Sequence, residues 1–295
     1  MTNTLSRSLE IKHDQIDPLV LEVMRTIDGI AKRNKTDYFL AGATAREIIL
    51  RHVFGRPSGR RTLDVDFGIA VQDWQGFETL KNELIESAGF APVAKLAHRV
   101  IYPADHPVIV DLIPFGGIEK ENRAIAWPPD EDIVMHVTGF GDALESSVLV
   151  KLDESLTVPV VSLPVLIALK LFAWMDRRVE NNKDAEDIFT ILKQYADAGN
   201  EDRLYGEHLA LLEQEEFDME IAGARLAGID CAASVSDETR SSIVNILISD
   251  GEVDYLTRQI IGIAGGLEGE RAGRCELLVQ KFRREFILSA QKQSW

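Results

Sequence analysis

Asp64 and Asp66 stand two residues apart in RRTLDVDFGI. The alternating, β-branched residues of TLDVDFGIAV predict a strand. Residues i and i+2 of a strand share a face, so both carboxylates project together, about 6.5–7 Å apart along the backbone. Two acids held side by side repel one another, and burial makes the repulsion worse. A divalent cation resolves that conflict, and hard oxygen donors suit Mg²⁺ or Mn²⁺. A third acid, Asp111, lies within the otherwise apolar VIVDLIPF. If that strand neighbours the first, about 4.8 Å away, Asp111 completes a three-carboxylate cluster able to hold two metals about 3.5–4 Å apart. The plain alternative is a solvated turn, as many DxD pairs are. An acid in the middle of an apolar strand argues against it.

A second candidate element precedes these acids. YFLAG reads as a short strand ending in glycine, and TAREIILRHVF as a helix capped by Thr44. Gly42, Ala43 and Thr44 therefore form a strand-to-helix turn. Such a turn lets a phosphate approach bare backbone and offers it the free N–H groups of a helix N-terminus, with the Thr44 hydroxyl beside them. Arg46 follows one helical turn later and has two open fates, a phosphate or Asp64. It heads a basic run of Arg46, Arg51, Arg56, Arg60 and Arg61 against one acid, Glu47.

The elements around these residues follow from periodicity. Apolar positions Leu19, Val23, Ile27 and Ile30 predict a helix over residues 16–34. DWQGFETLKNELIESAG predicts another, stopped by Gly89. RVIYP and VIVDLIPF read as strands, as do VMHVTGF, SSVLVKL and TVPVVSL. From Leu163 onward the texture is helical: LPVLIALKLFAWMDRRV, with Pro164 near its start, and DAEDIFTILKQYADAG are strong helices. An α/β half thus precedes an all-helical half, with a boundary near 160.

Composition bounds the rest. The chain has 295 residues, 45% hydrophobic and 27% charged, as expected of a globular protein with a sizeable core. No apolar run reaches the 18 or so residues a membrane span needs, and MTNTLSRSLEIKHDQ has no apolar core of a secretion signal. Cys231 and Cys275 match no metal spacing and read as reduced residues of a cytoplasmic protein. Net charge is −16, of which residues 201–270 (16 acids, 4 bases) carry the larger share. A field of that sign disfavours nonspecific nucleic-acid binding. The arginine run pulls the other way, towards RNA.

A strand, a Gly–small–Thr turn, a helix, an hDhDh strand and a lone Asp on a later strand resemble the DNA polymerase β-type nucleotidyltransferase superfamily. LAGATAREIIL and RRTLDVDF most resemble the AbiEii/MenT-like nucleotidyltransferase toxins, with Ala43 in place of a second glycine. The helical half agrees, since LIALKLFAWMDRRVENNKDAEDIFTIL is similar to that family's lysine helix and its R…KDxxDL helix. The resemblance covers roughly residues 37–195. It implies an α+β fold: a small mixed-sheet nucleotidyltransferase domain over 1–160, then a helical domain over 161–295.

The resemblance also implies an activity, the transfer of an NMP from an NTP to an acceptor hydroxyl. Asp64, Asp66 and Asp111 would hold the metal, and Gly42, Ala43, Thr44 and Arg46 the nucleotide. Lys170 or Lys183 would neutralise triphosphate charge, with Asp184 and Asp187 in the same site. Without the resemblance, Lys170 is an ordinary snorkelling lysine, and Asp184 and Asp187, with Arg177 near, a solvated helix face. The acceptor is a tRNA or a small cationic molecule, and a toxin would have an antitoxin partner. Two further readings remain: a noncatalytic binding module on this scaffold, and a metal-dependent phosphohydrolase. The second lacks histidine motifs, as all six histidines are scattered.

Overall fold

The structure, a computed structural model, describes residues 8–60, 64–265 and 269–293. Arg61, and the Thr62 and Leu63 expected to open the DxD strand, lie outside the described residues. The chain divides into two compact units, Met1–Ile48 with Arg60–Ser162, and Ile49–Gly59 with Leu163–Trp295.

The first unit is built on an eight-stranded mixed sheet. Its strands are β1 (Leu9–Glu10), β2 (Tyr38–Ala41), β3 (Asp64–Val71), β4 (Ala91–Pro92), β5 (Arg99–Tyr102), β6 (Val108–Gly116), β9 (Val148–Lys151) and β10 (Thr157–Val160), in the order β1-β9-β10-β2-β3-β6-β5-β4. A separate hairpin pairs β7 (Ala124–Ala126) with β8 (Val134–His136). At the centre, β2 runs antiparallel to β3 and β3 parallel to β6. β3 buries Val65, Phe67, Ile69 and Val71 on the face opposite its two aspartates, which is the alternation its sequence predicts. Each such side chain contributes about 1.5–3 kcal/mol by leaving water.

Helix α1 (Pro18–Asn34) starts where expected: the Asp17 carboxylate accepts from the Leu19 N–H at 2.8 Å, and Pro18 takes the first position, where no N–H is needed. It buries Val23, Met24, Ile27, Ile30 and Ala31. Helix α3 (Trp74–Ala88) is capped by Asp73 and ends at Gly89, whose φ of 75° is the left-handed stop the sequence predicts. One local expectation needs correcting. In VMHVTGF only Val134–His136 is strand, and Phe140–Glu145 forms a short helix, α4, entered through Gly139 at φ 84°. Tertiary packing explains the switch. Phe140 sits 5.7 Å, ring to ring, from both Phe39 (edge-on) and Phe115 (tilted), an aromatic triad that needs the chain to turn.

The second unit is helical: α5 (Leu163–Arg177), α6 (Lys183–Gln194), α7 (Glu201–Tyr205), α8 (Leu209–Gln214), α9 (Met219–Ala233), α10 (Asp237–Leu247), α11 (Asp250–Ile263) and α12 (Glu270–Gln293). α9 and α12 pack closely, since a Cβ on Gly228 would stand 2.5 Å from the Phe282 carbonyl oxygen. Buried Arg225 joins them through Glu285 at 2.6 Å. Segment 49–59 belongs to this unit, which sequence reading did not foresee. Its Phe54 ring fills the space beside Gly199, and Arg56 pairs with Asp197 at 3.4 Å and Glu201 at 3.6 Å. No helix of the described residues is long and apolar enough to cross a membrane.

Candidate active site

One row across the sheet gathers candidate residues. Ala41 of β2 is in register with Asp66, Asp66 with Asp111 of β6, and Asp111 with Arg99 of β5. Register partners present their side chains on one face, about 4.5–5.5 Å apart. Asp64 lies on the same face two residues before Asp66. The sheet therefore gathers Asp64, Asp66 and Asp111 as the sequence predicts, and adds Arg99, which the sequence reading missed.

Helix α2 (Gly42–Glu47) begins directly at the end of β2 and runs on into a π-helical turn over Ile48–Val53. Gly42 has a φ of +66°, and a Cβ there would lie 1.8 Å from Asp66 Oδ2. The bare backbone of the turn thus packs against the carboxylate, which is the close approach that only glycine permits. Thr44 donates its hydroxyl to the Asp64 carbonyl at 2.8 Å. That bond ties the turn to the DxD strand and commits the one hydroxyl proton to the backbone. Ala43 is buried. Arg46 is wholly buried and donates from Nη2 to the Arg60 carbonyl at 2.9 Å, so its guanidinium braces the loop behind the strand.

Asp111 is held by a bidentate fork. Arg99 Nε donates to Oδ1 and Nη2 to Oδ2, both at 2.7 Å. The hydrogen bonds to Asp111 hold the guanidinium above its ordinary pKa against partial burial, and the charges of Asp64 and Asp66 add to the effect. His98 Nε2 stands 3.9 Å from Asp111 Oδ1, with its ring against Trp127. Burial pushes the imidazole below its ordinary value, outweighing the attraction of Asp111. It is therefore neutral at pH 7.

Three hard carboxylates on one face suit a divalent cation. Among the described residues, however, no three acidic, imidazole or thiol side chains converge as a ready metal set. Both oxygens of Asp111 accept from Arg99. Asp64 and Asp66 supply donors that fit such a cation. Asp111 supplies a further oxygen donor beside them while accepting the Arg99 fork.

The second motif forms its own cluster within the helical unit. Lys170 of α5 reaches Asp184 at 3.0 Å and Asp187 at 2.6 Å on α6. Arg177 forks onto Asp184 at 2.6 and 2.8 Å. Asp184 and Asp187 are 1% and 0% exposed, so the solvated-face alternative is wrong for both. Lys170 is 8% exposed and does not snorkel into water. Lys183 is exposed at the start of α6.

Residues 30–236 match the family described as "Nucleotidyl transferase AbiEii toxin, Type IV TA system". The chain belongs to this AbiEii family. It is a nucleotidyltransferase by that membership, and the α+β fold is the one the sequence resemblance implies. Structures similar to parts of the AbiEii chain include the antibiotic-resistance factor ANT(2'')-Ia, at 12% identity and TM-score 0.36, covering 68% of this chain and 98% of that one. A nucleotidyltransferase-like protein of Paracoccidioides brasiliensis matches at 18% identity and TM-score 0.40, covering 68% and 90%. A CCA-adding enzyme of Thermotoga maritima, complexed with tRNA, matches at 11% identity and TM-score 0.25, covering 96% and 84%. No curated protein matches the sequence.

Proposed function

We propose that this AbiEii-family enzyme moves an NMP from an NTP to an acceptor hydroxyl, releasing pyrophosphate, at the face carrying Asp64, Asp66 and Asp111. The observation that carries the reading is the contact of the Gly42 backbone with the Asp66 carboxylate. It sets that carboxylate against the first turn of α2, whose start no side chain caps. Asp64 and Asp66 would hold Mg²⁺ or Mn²⁺, with Asp111 as the third ligand. When bound, that ion supplies charge neutralisation on the triphosphate and a lowered pKa at the acceptor oxygen. The protein's own part is positioning. β3 fixes the two acids, Thr44 locks the turn to β3, and the uncapped start of α2 turns backbone N–H groups towards the phosphates. Lys170 and Lys183, with Asp184 and Asp187, form the second candidate group, with Lys170 as the triphosphate cation.

A toxin role in a type IV system supports a nucleic-acid acceptor such as a tRNA end, and a neutralising antitoxin as partner. One observation favours a small cationic acceptor instead. Arg56, the centre of the arginine run, is paired with Asp197 and Glu201 rather than free to meet a phosphate backbone. The net charge of −16 points the same way. Incubation with labelled NTP and either total tRNA or an aminoglycoside separates the two. Label in tRNA supports the first, and label only in the aminoglycoside replaces it with the second.

A thermal melt tests the site. With Mg²⁺ and the cognate NTP at about 100 times its Kd, the wild type should gain about 2.7 kcal/mol, which is several degrees. Asp64→Asn should keep its unliganded Tm and lose the shift. An equal shift in both would place the nucleotide elsewhere.

A further inference from the structure

We propose that the open edge of the β7–β8 hairpin is a docking site for an extended, lysine- or arginine-rich protein segment, which adds to β8 as a further strand. The surface lies in the first unit and is independent of how the three carboxylates act.

The hairpin is anchored at its base. Trp127 is 5% exposed, and its ring stands 5.2 Å from Trp74, 5.6 Å from Phe77 and 5.6 Å from His98. The Trp127 N–H donates to the Ile133 carbonyl and the Glu131 N–H to the Trp127 carbonyl, each at 3.0 Å. Those bonds close the loop above the anchor. Residues 128–134 are nevertheless all exposed. Ile133 and Val134 are each 57% exposed, so two adjacent apolar side chains stand in water on a fixed framework.

The backbone there is open on one side. The ladder is bonded from Trp127 to Ile133 at one end and from Val137 to Arg123, at 2.8 Å, at the other. Bonds of an antiparallel pair fall on alternate residues. Met135, in register with Ile125, therefore faces β7, and Val134 turns its N–H and C=O outward. On the far side of β7 the Lys120 N–H donates to the Ala124 carbonyl at 2.7 Å. Among the described residues, no strand pairs with the outer side of β8. Sheets guard such edges with lysine, proline or a covering element, and Val134 supplies none of these. An edge of this kind takes up an extended segment through main-chain hydrogen bonds.

Charge selects the segment. Residues 119–136 hold five acids, Glu119, Glu121, Asp130, Glu131 and Asp132, and two bases, Lys120 and Arg123. Both bases are paired within the hairpin, Arg123 with Glu119 at 3.1 Å and Lys120 with Glu131. Glu121, Asp130 and Asp132 are exposed, and this surplus beside the apolar pair favours positive charge on the incoming strand. A second copy of the chain carries the same acids and a net charge of −16, which holds copies apart.

The test is fluorescence anisotropy of a labelled heptapeptide, Lys-Val-Lys-Val-Lys-Val-Lys, titrated with the full chain at low salt. Wild type should bind it and not the matching Glu-Val peptide. Asp130→Asn with Asp132→Asn should weaken binding about two- to tenfold, the scale of two exposed charge pairs lost. Val134→Pro removes the outward N–H and spares the bonds to β7, and should weaken binding about two- to tenfold, the scale of one hydrogen bond. Two further peptides, N-methylated at the valines or at the lysines, repeat the backbone test on the unaltered protein, so a Val134→Pro chain that fails to fold leaves it in place. One of the two should lose binding. No binding by wild type at millimolar peptide would overturn the proposal. So would loss on removing the acids while Val134→Pro and both methylated peptides bind fully, since charge alone would then hold the peptide. Equal binding by every variant would put the peptide on acids elsewhere and end the assignment. Light scattering that shows self-association of wild type, abolished by Val134→Pro, would make the occupant a second copy instead.

Discussion

Gly42→Ala is expected to lower nucleotidyl transfer at least about a hundredfold, the cost of misplacing a reacting group by about 1 Å. The new Cβ would meet Asp66 Oδ2 at 1.8 Å and its Cγ at 2.7 Å, so the carboxylate must leave its place. The backbone adds strain of its own. A φ of +66° costs an L-residue about 1–2 kcal/mol relative to glycine. Kinetics and melting on the single variant would show both losses. A double-mutant cycle separates them. In an Asp66→Ala background the nearest remaining atom is the residue-66 Cβ, 3.1 Å away, a tight contact that small shifts relieve. The stability cost of Gly42→Ala should then shrink by about 0.5–3 kcal/mol, while activity stays lost for want of the acid. Full activity in the single variant would remove the close approach from the mechanism, and additive stabilities would show that the collision is not felt.

The placement of the acids on β3 and β6 was legible in the sequence because strand periodicity is rigid. Asp64 and Asp66 had to share a face, and Asp111 was conspicuous as the lone acid in an apolar run. Their adjacency depended on β3 pairing with β6, a non-local fact that the strand pattern allowed but did not impose. Arg99 was missed for the same reason. An arginine at the start of RVIYP looks like a solvated strand end until β5 is placed beside β6 in a definite register. Thr44 illustrates a subtler limit. Its type fits a phosphate contact, yet in the fold its hydroxyl is spent on the Asp64 carbonyl. Residues 137–140, which lead into α4, were read as strand because local propensity in VTGF favours extension. The packing of Phe140 on Phe39 and Phe115 overrides it. The arginine run looked like a cationic surface by composition. Burial of Arg46 and the acidic partners of Arg56 make those two side chains braces instead.

Lys170→Met is expected to destabilise the chain by about 3–5 kcal/mol, the range for breaking a buried ion pair from one side, or about 6–20 °C in Tm. The methionine fills the volume of the stem but leaves Asp184 and Asp187, at 1% and 0% exposure, without the ammonium that reaches both. The loss should be largely recovered in Lys170→Met with Asp187→Leu, since replacing a buried pair by apolar groups is near neutral. The pH dependence offers an independent check. Burial raises the Asp184 carboxyl, but the Arg177 hydrogen bonds and the Lys170 charge outweigh it and leave the group below its ordinary value. A carboxyl depressed in the folded state contributes stability above its unfolded pKa and loses it as pH falls through the folded value. Wild type should therefore keep this contribution down to about pH 4. Lys170→Met, with one depressing charge gone, should hold a smaller contribution of this kind, so its stability should fall less than that of wild type as pH drops below about 4. Melting curves between pH 3 and 7 read both effects. A variant that melts like wild type yet transfers no nucleotide would show that the Lys170 ammonium adds nothing to the fold and leave only its proposed role at the triphosphate.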